Sequence, residues 1–206
     1  MKIRRTANAG VLIEMDGLSI LIDGVCGKIA PYEETPLSIR EELSENFPDI
    51  VAFTHIHGDH FDREYAELYK EKTLRSVCGP ESFLFKNFGE IGITGVSTRH
   101  IGKFDIRHVS FIIEGSKTIW FMGDASPLDF KGRTDLPAPD VVIAPFSYAN
   151  TDSAWKITKT LGAKNIVIVH MPVREEDTYG IWEAVENTIR NENGVFIPAM
   201  GETIIL

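Results

Sequence analysis

Two apolar runs, Val11 to Met15 and Leu18 to Ile22, flank Asp16-Gly17, the strongest two-residue hairpin signal a sequence offers. The chain is therefore expected to open as an antiparallel meander. Thr35-Pro36 reads as an N-cap followed by proline at the first helical position, with Leu37, Leu43 and Phe47 as core contacts and Pro48 as the stop. Asp49 to Phe53 reads as a buried strand. Asp62 can cap a helix running to about Lys72, with Tyr65, Leu68 and Tyr69 on one face, and a short strand is expected around Leu74 to Cys78. Gly89, Gly92 and Gly95 break up the stretch before Val96. Strands then follow at Arg107 to Glu114 and Lys117 to Phe121, joined through Gly115-Ser116 as a second hairpin. The carboxyl third alternates a strand (Asp140 to Ala144), a helix (about Thr151 to Leu161), a strand (Asn165 to Val169), a helix (about Thr178 to Asn191) and two short closing strands. Interleaved helices and strands make the class α/β. Each half opens with antiparallel strands and ends in helix-strand units, which suggests two similar sheets face to face with helices outside.

Composition narrows this picture. At 206 residues the chain is long enough for one well-buried domain, here residues 1–206, with no composition shift to mark a linker. A quarter of the residues are charged and 43% are apolar, which excludes disorder as the main reading. The net charge of −9 argues against nucleic acid as a main partner, because phosphate binding wants a basic face. No signal-peptide core follows the basic start, and no apolar run approaches membrane-spanning length, so a cytoplasmic protein without a membrane partner is expected. Cys26 and Cys78 form no CxxC or CxxH pair and read as reduced, packed thiols, with a ligand role for Cys26 left open. Trp120, Trp155 and Trp182 read as core or interface.

The candidate chemistry sits in Thr54-His55-Ile56-His57-Gly58-Asp59-His60-Phe61-Asp62, where three of the six histidines and two aspartates fall within nine residues. Imidazole and carboxylate are the ligands that zinc-like cations select. His55 and His57 point the same way in an extended segment, and Gly58 lets the chain turn before Asp59 and His60. Further polar residues end other apolar segments: His100 after Ile93 to Arg99, Asp124 after Ile119-Trp120-Phe121-Met122, and His170 after Ile166-Val167-Ile168-Val169. Buried strands leading to loop-borne ligands are how a rigid scaffold holds a metal cluster. His108 competes with His100 as a ligand, but it enters a strand and so reads as structural, which favours His100; Asp105 is a weaker third candidate.

Taken together, His55-x-His57-x-Asp59-His60, His100, Gly123-Asp124 and His170, in this order and at these intervals, resemble the metallo-β-lactamase superfamily. The branch that contains the phosphorylated-ascorbate lactonase is the most similar. The resemblance spans almost the whole chain and implies a four-layer αββα sandwich of two mixed β-sheets (α+β), with metals at one edge between the sheets. It implies two divalent ions, Zn2+ with Mn2+ or Fe as alternatives. His55, His57 and His100 would hold the first and Asp59, His60 and His170 the second, with Asp124 between them. A shared water lowered in pKa would be the nucleophile for hydrolysis of a lactone, ester, amide or phosphodiester. Asp59 would orient it or shuttle its proton. Asp23, at another strand end, is a candidate to fix a ligand imidazole. The family phrase Gly-Asp-Thr is Gly123-Asp124-Ala125 here, with the nearest hydroxyl on Ser126.

The expected partner is a small molecule, anionic or cyclic, with Tyr148 and Arg174 as candidate contacts. A homo-oligomer stays open. Two alternatives compete with this hydrolase: a nuclease-type phosphodiesterase of the same superfamily, disfavoured by the acidic charge, and a non-catalytic metal-binding sensor, disfavoured by seven converging ligands where four would close a structural site.

Overall fold

The alternation of side chains along the strands decides how the layers stack. In a computed structural model describing residues 1–80, 85–102 and 105–206, the strands are β1 (Lys2–Arg5), β2 (Val11–Met15), β3 (Leu18–Ile22), β4 (Ile50–Ala52), β5 (Phe85–Phe88), β6 (Ile91–Arg99), β7 (Arg107–Glu114), β8 (Thr118–Phe121), β9 (Val141–Pro145), β10 (Asn165–Val169), β11 (Val195–Phe196) and β12 (Thr203–Ile205). The helices are α1 (Leu37–Glu45), α2 (Arg63–Thr73), α3 (Asp152–Lys159) and α4 (Ile181–Ile189). One sheet runs β12-β1-β2-β3-β4 and the other β11-β10-β9-β8-β7-β6-β5, each with parallel and antiparallel pairs.

Ile20 and Ile22 of β3 share one core with Phe111 and Ile113 of β7, Ile119 and Phe121 of β8, and Val167 and Val169 of β10. That core therefore lies between the sheets. Leu21, from the opposite face of β3, packs with Ile39 and Leu43 of α1 and Tyr65 and Tyr69 of α2. Ile112, Trp120, Val142 and Ile168 face instead toward Trp155 of α3 and Val185 of α4. The period of two along each strand thus produces helix, sheet, sheet, helix, the expected αββα order.

The Asp16-Gly17 hairpin forms in the expected register, with Met15 opposite Leu18, and the second hairpin joins β7 to β8. Other expectations need correction. Thr35 does not cap α1: its hydroxyl accepts the Cys26 N–H, and the helix begins at Leu37 behind Pro36. Leu37 is exposed, and the buried stripe is Ile39 and Leu43, four residues apart. The strand expected at Leu74 to Cys78 shrinks to a single bridge between Cys78 and Ala52, because Leu74 adopts a left-handed conformation that closes α2. Gly92 and Gly95 do not interrupt β6, which pairs with β7 from Gly92 to Arg99.

The strand ends converge at one edge. Two backbone bonds cross between the sheets there, Val109 N–H to Thr54 C=O at 3.0 Å and His170 N–H to Asn8 C=O at 3.0 Å. Beside this edge, Asp62 caps α2 by accepting the Tyr65 N–H at 2.8 Å and pairs with Arg40. Among the described residues, no helix is long and apolar enough to cross a membrane.

Asp62 yields a stability prediction. Burial pushes its carboxyl upward, but the Arg40 guanidinium and the Tyr65 N–H outweigh burial and hold it below the usual carboxylate range. Stabilisation is therefore full above the unfolded value of about 4 and lost as pH falls through the lower folded value. Asp62→Ala is expected to lose about 1–2 kcal/mol in urea unfolding at pH 7, and the gap from wild type should narrow below about pH 4.

Candidate metal centre

The edge collects all six histidines of the chain. Asp23 follows β3, His55, His57, Asp59 and His60 follow β4, His100 follows β6, Asp124 follows β8 and His170 follows β10. Ligand atoms fall into three groups within 4.8 Å: His55, His57 and His100; His55, His60 and Asp124; and Asp59, His60 and His170. The residues picked from sequence as ligands are thus brought together.

Hydrogen bonds fix which nitrogen faces inward in three of the imidazoles, His55, His60 and His100. Asp23 is fully buried, and its carboxylate accepts the Thr54 N–H at 2.8 Å and the Thr54 hydroxyl at 2.6 Å. Because that hydroxyl donates to Asp23, it accepts from His55 Nδ1 at 2.9 Å, so His55 Nε2 carries the lone pair and faces His57 Nδ1 at 3.0 Å. His60 donates through Nδ1 to Asp23 at 2.8 Å, and His100 donates through Nδ1 to the Ile101 carbonyl at 2.6 Å. The inward Nε2 atoms of His60, His100 and His170 are buried without a hydrogen-bond partner. In His60 and His100 the outward nitrogen is pinned and the inward one orphaned, and His170 leaves both ring nitrogens unpartnered; a cation would satisfy these inward nitrogens, so the residues fit a metal.

Asp124 lies among them. Its Oδ2 is 3.2 Å from His100 Nε2, while its Oδ1 is 3.4 Å from His60 Nε2 and 3.6 Å from His170 Nε2. Asp59 Oδ2 lies 3.3 Å from His170 Nε2. Burial works against the Asp124 charge, yet His170 and His60 outweigh it and hold the carboxyl well below its usual range. Burial likewise opposes a charge on His60, but Asp124 and Asp23 push its pKa well above the ordinary value. His55 goes the other way, driven down by burial and by His60. Three carboxylates in a buried setting make the centre strongly attractive to positive charge.

Backbone strain accompanies the geometry. Asp23 and His170 sit at φ 49° and 61°, a region that disfavours residues with a Cβ by roughly 1–3 kcal/mol. Gly123, at φ 55°, is required differently: a Cβ there would lie 2.7 Å from both His108 Nε2 and the Thr54 side chain. The turn that aims Asp124 can therefore hold only glycine.

His108 is settled by its bonds. The Ser110 hydroxyl donates to the Met122 carbonyl at 2.8 Å, so the Thr98 hydroxyl donates to Ser110 at 3.1 Å and accepts from His108 Nδ1 at 2.7 Å. His108 Nε2 then accepts the Asp124 N–H at 2.9 Å. Both ring nitrogens are used, which leaves His100 as the one of the two that faces the centre. Asp105 belongs to none of the three ligand groups.

Other candidates stand outside the three ligand groups. Tyr148, expected as a loop contact for substrate, is fully buried among outer-layer side chains, and its hydroxyl has no partner. Arg174 stacks over Trp182 at 3.7 Å and pairs with Glu186. Cys26 is buried against Thr35 and the Glu33 carbonyl, and burial pushes its thiol up. The Ser126 hydroxyl accepts from Leu128 N–H at 3.3 Å and caps a short turn. Tyr32 was not foreseen. Its ring meets His170 edge-on at 4.3 Å, and burial, with Asp124 and Asp59, pushes its phenol up to about 12. An aromatic in the loop between Asp23 and α1 was the only available signal, and no spacing marks it.

Comparison with known proteins gives a family model, the beta-lactamase superfamily domain, that matches residues 2–170. No curated protein matches. Among solved structures, a possible metal-dependent hydrolase from Veillonella parvula is 21% identical with a TM-score of 0.73, covering 100% of this chain and 99% of that one. The isothiocyanate hydrolase from Delia radicum gut bacteria is 18% identical with a TM-score of 0.68, over 100% and 99% of the two chains. Igni18, a metallo hydrolase from the archaeon Ignicoccus hospitalis, is 23% identical with a TM-score of 0.64, over 98% and 97%. At these identities the likeness is one of fold.

The hydrogen-bond chain through His108 can be checked directly. Burial, His60 and His100 push its pKa down to about 3, so it should stay neutral at every pH above that value. Nitrogen-proton correlation spectra of the imidazoles should show His108 protonated on Nδ1 and unchanged between about pH 5 and 8, the range in which an unperturbed histidine titrates. A titrating or Nε2-protonated His108 would break the assigned direction of the chain.

Proposed function

The chain belongs to the beta-lactamase superfamily domain family, and on that premise we propose that it is a metal-dependent hydrolase built around two divalent cations. The observation that carries this reading is the division of Asp124, whose two oxygens face different sets of histidines. His55, His57 and His100 would hold one ion and Asp59, His60 and His170 the other, with Asp124 within reach of both groups. The donor set of imidazole and carboxylate suits Zn2+, with Mn2+ or Fe as alternatives. When bound, such ions lower the pKa of water toward neutrality and polarise a carbonyl or phosphoryl oxygen.

The chain's own residues supply the rest. Asp23 and the Ile101 carbonyl hold the His60 and His100 rings so that their Nε2 atoms face the centre. Burial tends to raise the Asp59 carboxyl, but His170 and His60 keep it below its usual range, so it is ionised at neutral pH and able to accept a proton or orient water. Tyr32 remains a neutral phenol there, a donor for a substrate oxygen. No serine or cysteine nucleophile is needed. The expected setting is the cytoplasm, and the substrate a small molecule.

Metal analysis after zinc or manganese loading should find two ions per chain; a well-folded protein that never exceeds one would defeat the dinuclear arrangement. A panel of lactones, esters, amides, phosphodiesters and isothiocyanates should reveal turnover that chelation removes. His57→Ala is expected to lower it by more than about a hundredfold, beyond the 10- to 100-fold typical of partners outside the ligand set. His108→Leu, acting only through the Asp124 N–H, should weaken zinc affinity by roughly 10- to 100-fold while two ions still bind at saturation.

A further inference from the structure

Nine large hydrophobic side chains are exposed among the described residues, and four of them, Ile29, Ile56, Ile101 and Leu128, lie on the loops that carry the candidate metal centre. Ile56 stands between His55 and His57 and is 72% exposed. Ile101 follows His100, its N–H bonded to the Asp124 carbonyl at 2.8 Å. Leu128, 57% exposed, sits on the short turn just past Asp124. Ile29 reaches across to the metal loop: its Cδ1 would lie 3.2 Å from a Cβ on Gly58, and the Gly27 N–H bonds to the Gly58 carbonyl at 3.0 Å. Scattered exposed aliphatics need no explanation, but a set gathered on the loops of one site marks a place where apolar matter is received.

The charges on these loops point the same way. Lys28 is paired with Glu176 at 3.3 Å, Arg99 with Asp129 at 2.9 Å, and Arg174 with Glu186. Asp23, Asp59 and Asp124 add negative charge within. Among the described residues these three cations are already paired, so an anionic substrate, the expectation from sequence, would have to compete for them. Tyr148 and Arg174, the two contacts expected to hold an anion, are buried and engaged respectively.

We propose that the substrate is an uncharged molecule with an apolar tail, the tail lying on the collar of Ile29, Ile56, Ile101 and Leu128 while its reacting carbonyl-type group enters the metal centre. This rests on the metal-dependent hydrolase reading and narrows it. Tyr32, whose ring packs on His170, places a phenol hydroxyl near the centre as a hydrogen-bonding group for such a substrate.

The test separates binding from turnover. The zinc-loaded protein, labelled at isoleucine and leucine methyls, is titrated with 2-heptylcyclopentanone, which has a carbonyl and an alkyl tail but no hydrolysable bond, and with cyclopentanone and 3-oxocyclopentanecarboxylate for comparison. The heptyl ketone should bind at least about tenfold more tightly than cyclopentanone, since each buried methylene is worth a factor of roughly four, and should shift the collar methyls. Ile56→Ser combined with Leu128→Ser, both at exposed positions, should remove most of that advantage while zinc stoichiometry confirms folding. In parallel, KM on γ-lactones with ethyl to octyl side chains should fall with tail length. Tighter binding of the carboxylate, or heptyl binding that leaves the collar methyls unmoved, would overturn the proposal. Turnover independent of tail length would also overturn it while leaving the hydrolase reading intact. Collar shifts with no turnover on any panel would instead remove the hydrolase reading and leave the apolar collar standing.

Discussion

A single carboxylate, that of Asp23, holds the site loops in register. Fully buried, it would be untenable without partners, since an unpaired charge in the protein interior is strongly destabilising. It has three: the Thr54 N–H, the Thr54 hydroxyl and His60 Nδ1. Those bonds join the end of β3 to the end of β4, and through Thr54 they also set the tautomer of His55. The left-handed backbone at Asp23 is tolerated because so much depends on where the side chain lands. Two of the inward-facing nitrogens thus trace back to one residue outside the ligand groups.

Much of this was readable from the chain. Strands that end on histidine or aspartate, and a hairpin with Asp-Gly at its turn, are local patterns that survive into the structure because the period of two and the turn chemistry are set by neighbours in sequence. The Asp62 cap is equally local, and it forms as read. What failed was longer in range. Leu37 was assigned to the core from its place after Pro36, yet the phase of α1 is decided by what β3 presents to it, and Leu21 meets Ile39 and Leu43. Gly92 and Gly95 looked like breaks, but a strand paired with β7 from Gly92 to Arg99 tolerates them. The strand predicted before Cys78 lost to the left-handed turn at Leu74.

The site follows the same rule. His55 to His60 could be found by spacing alone. His100 could be preferred to His108 because His108 enters a strand, but the bonds that occupy His108 turn on Thr98 lying directly across from it in the β6–β7 pair, a register no sequence prints. Tyr148 and Arg174 were selected for type and position, while the burial of the one and the Trp182 stack of the other are set by tertiary packing. Tyr32 reaches His170 only because a loop folds back over the edge where the two sheets are joined by backbone bonds. Site chemistry is thus legible where ligands sit at strand ends and illegible where long loops bring in their neighbours.

The hydrogen-bond chain from Asp124 N–H through His108, Thr98 and Ser110 to the Met122 carbonyl has one more consequence. A proton wire conducts because each link can reverse its donor and acceptor roles and so reset after a proton has passed. Here both termini are peptide groups, one able only to give and the other only to receive, two residues apart around Gly123. The chain therefore has a single allowed polarity and no exit to solvent through its ends. It serves as a rigid brace for the turn that carries Asp124, not as a path for protons.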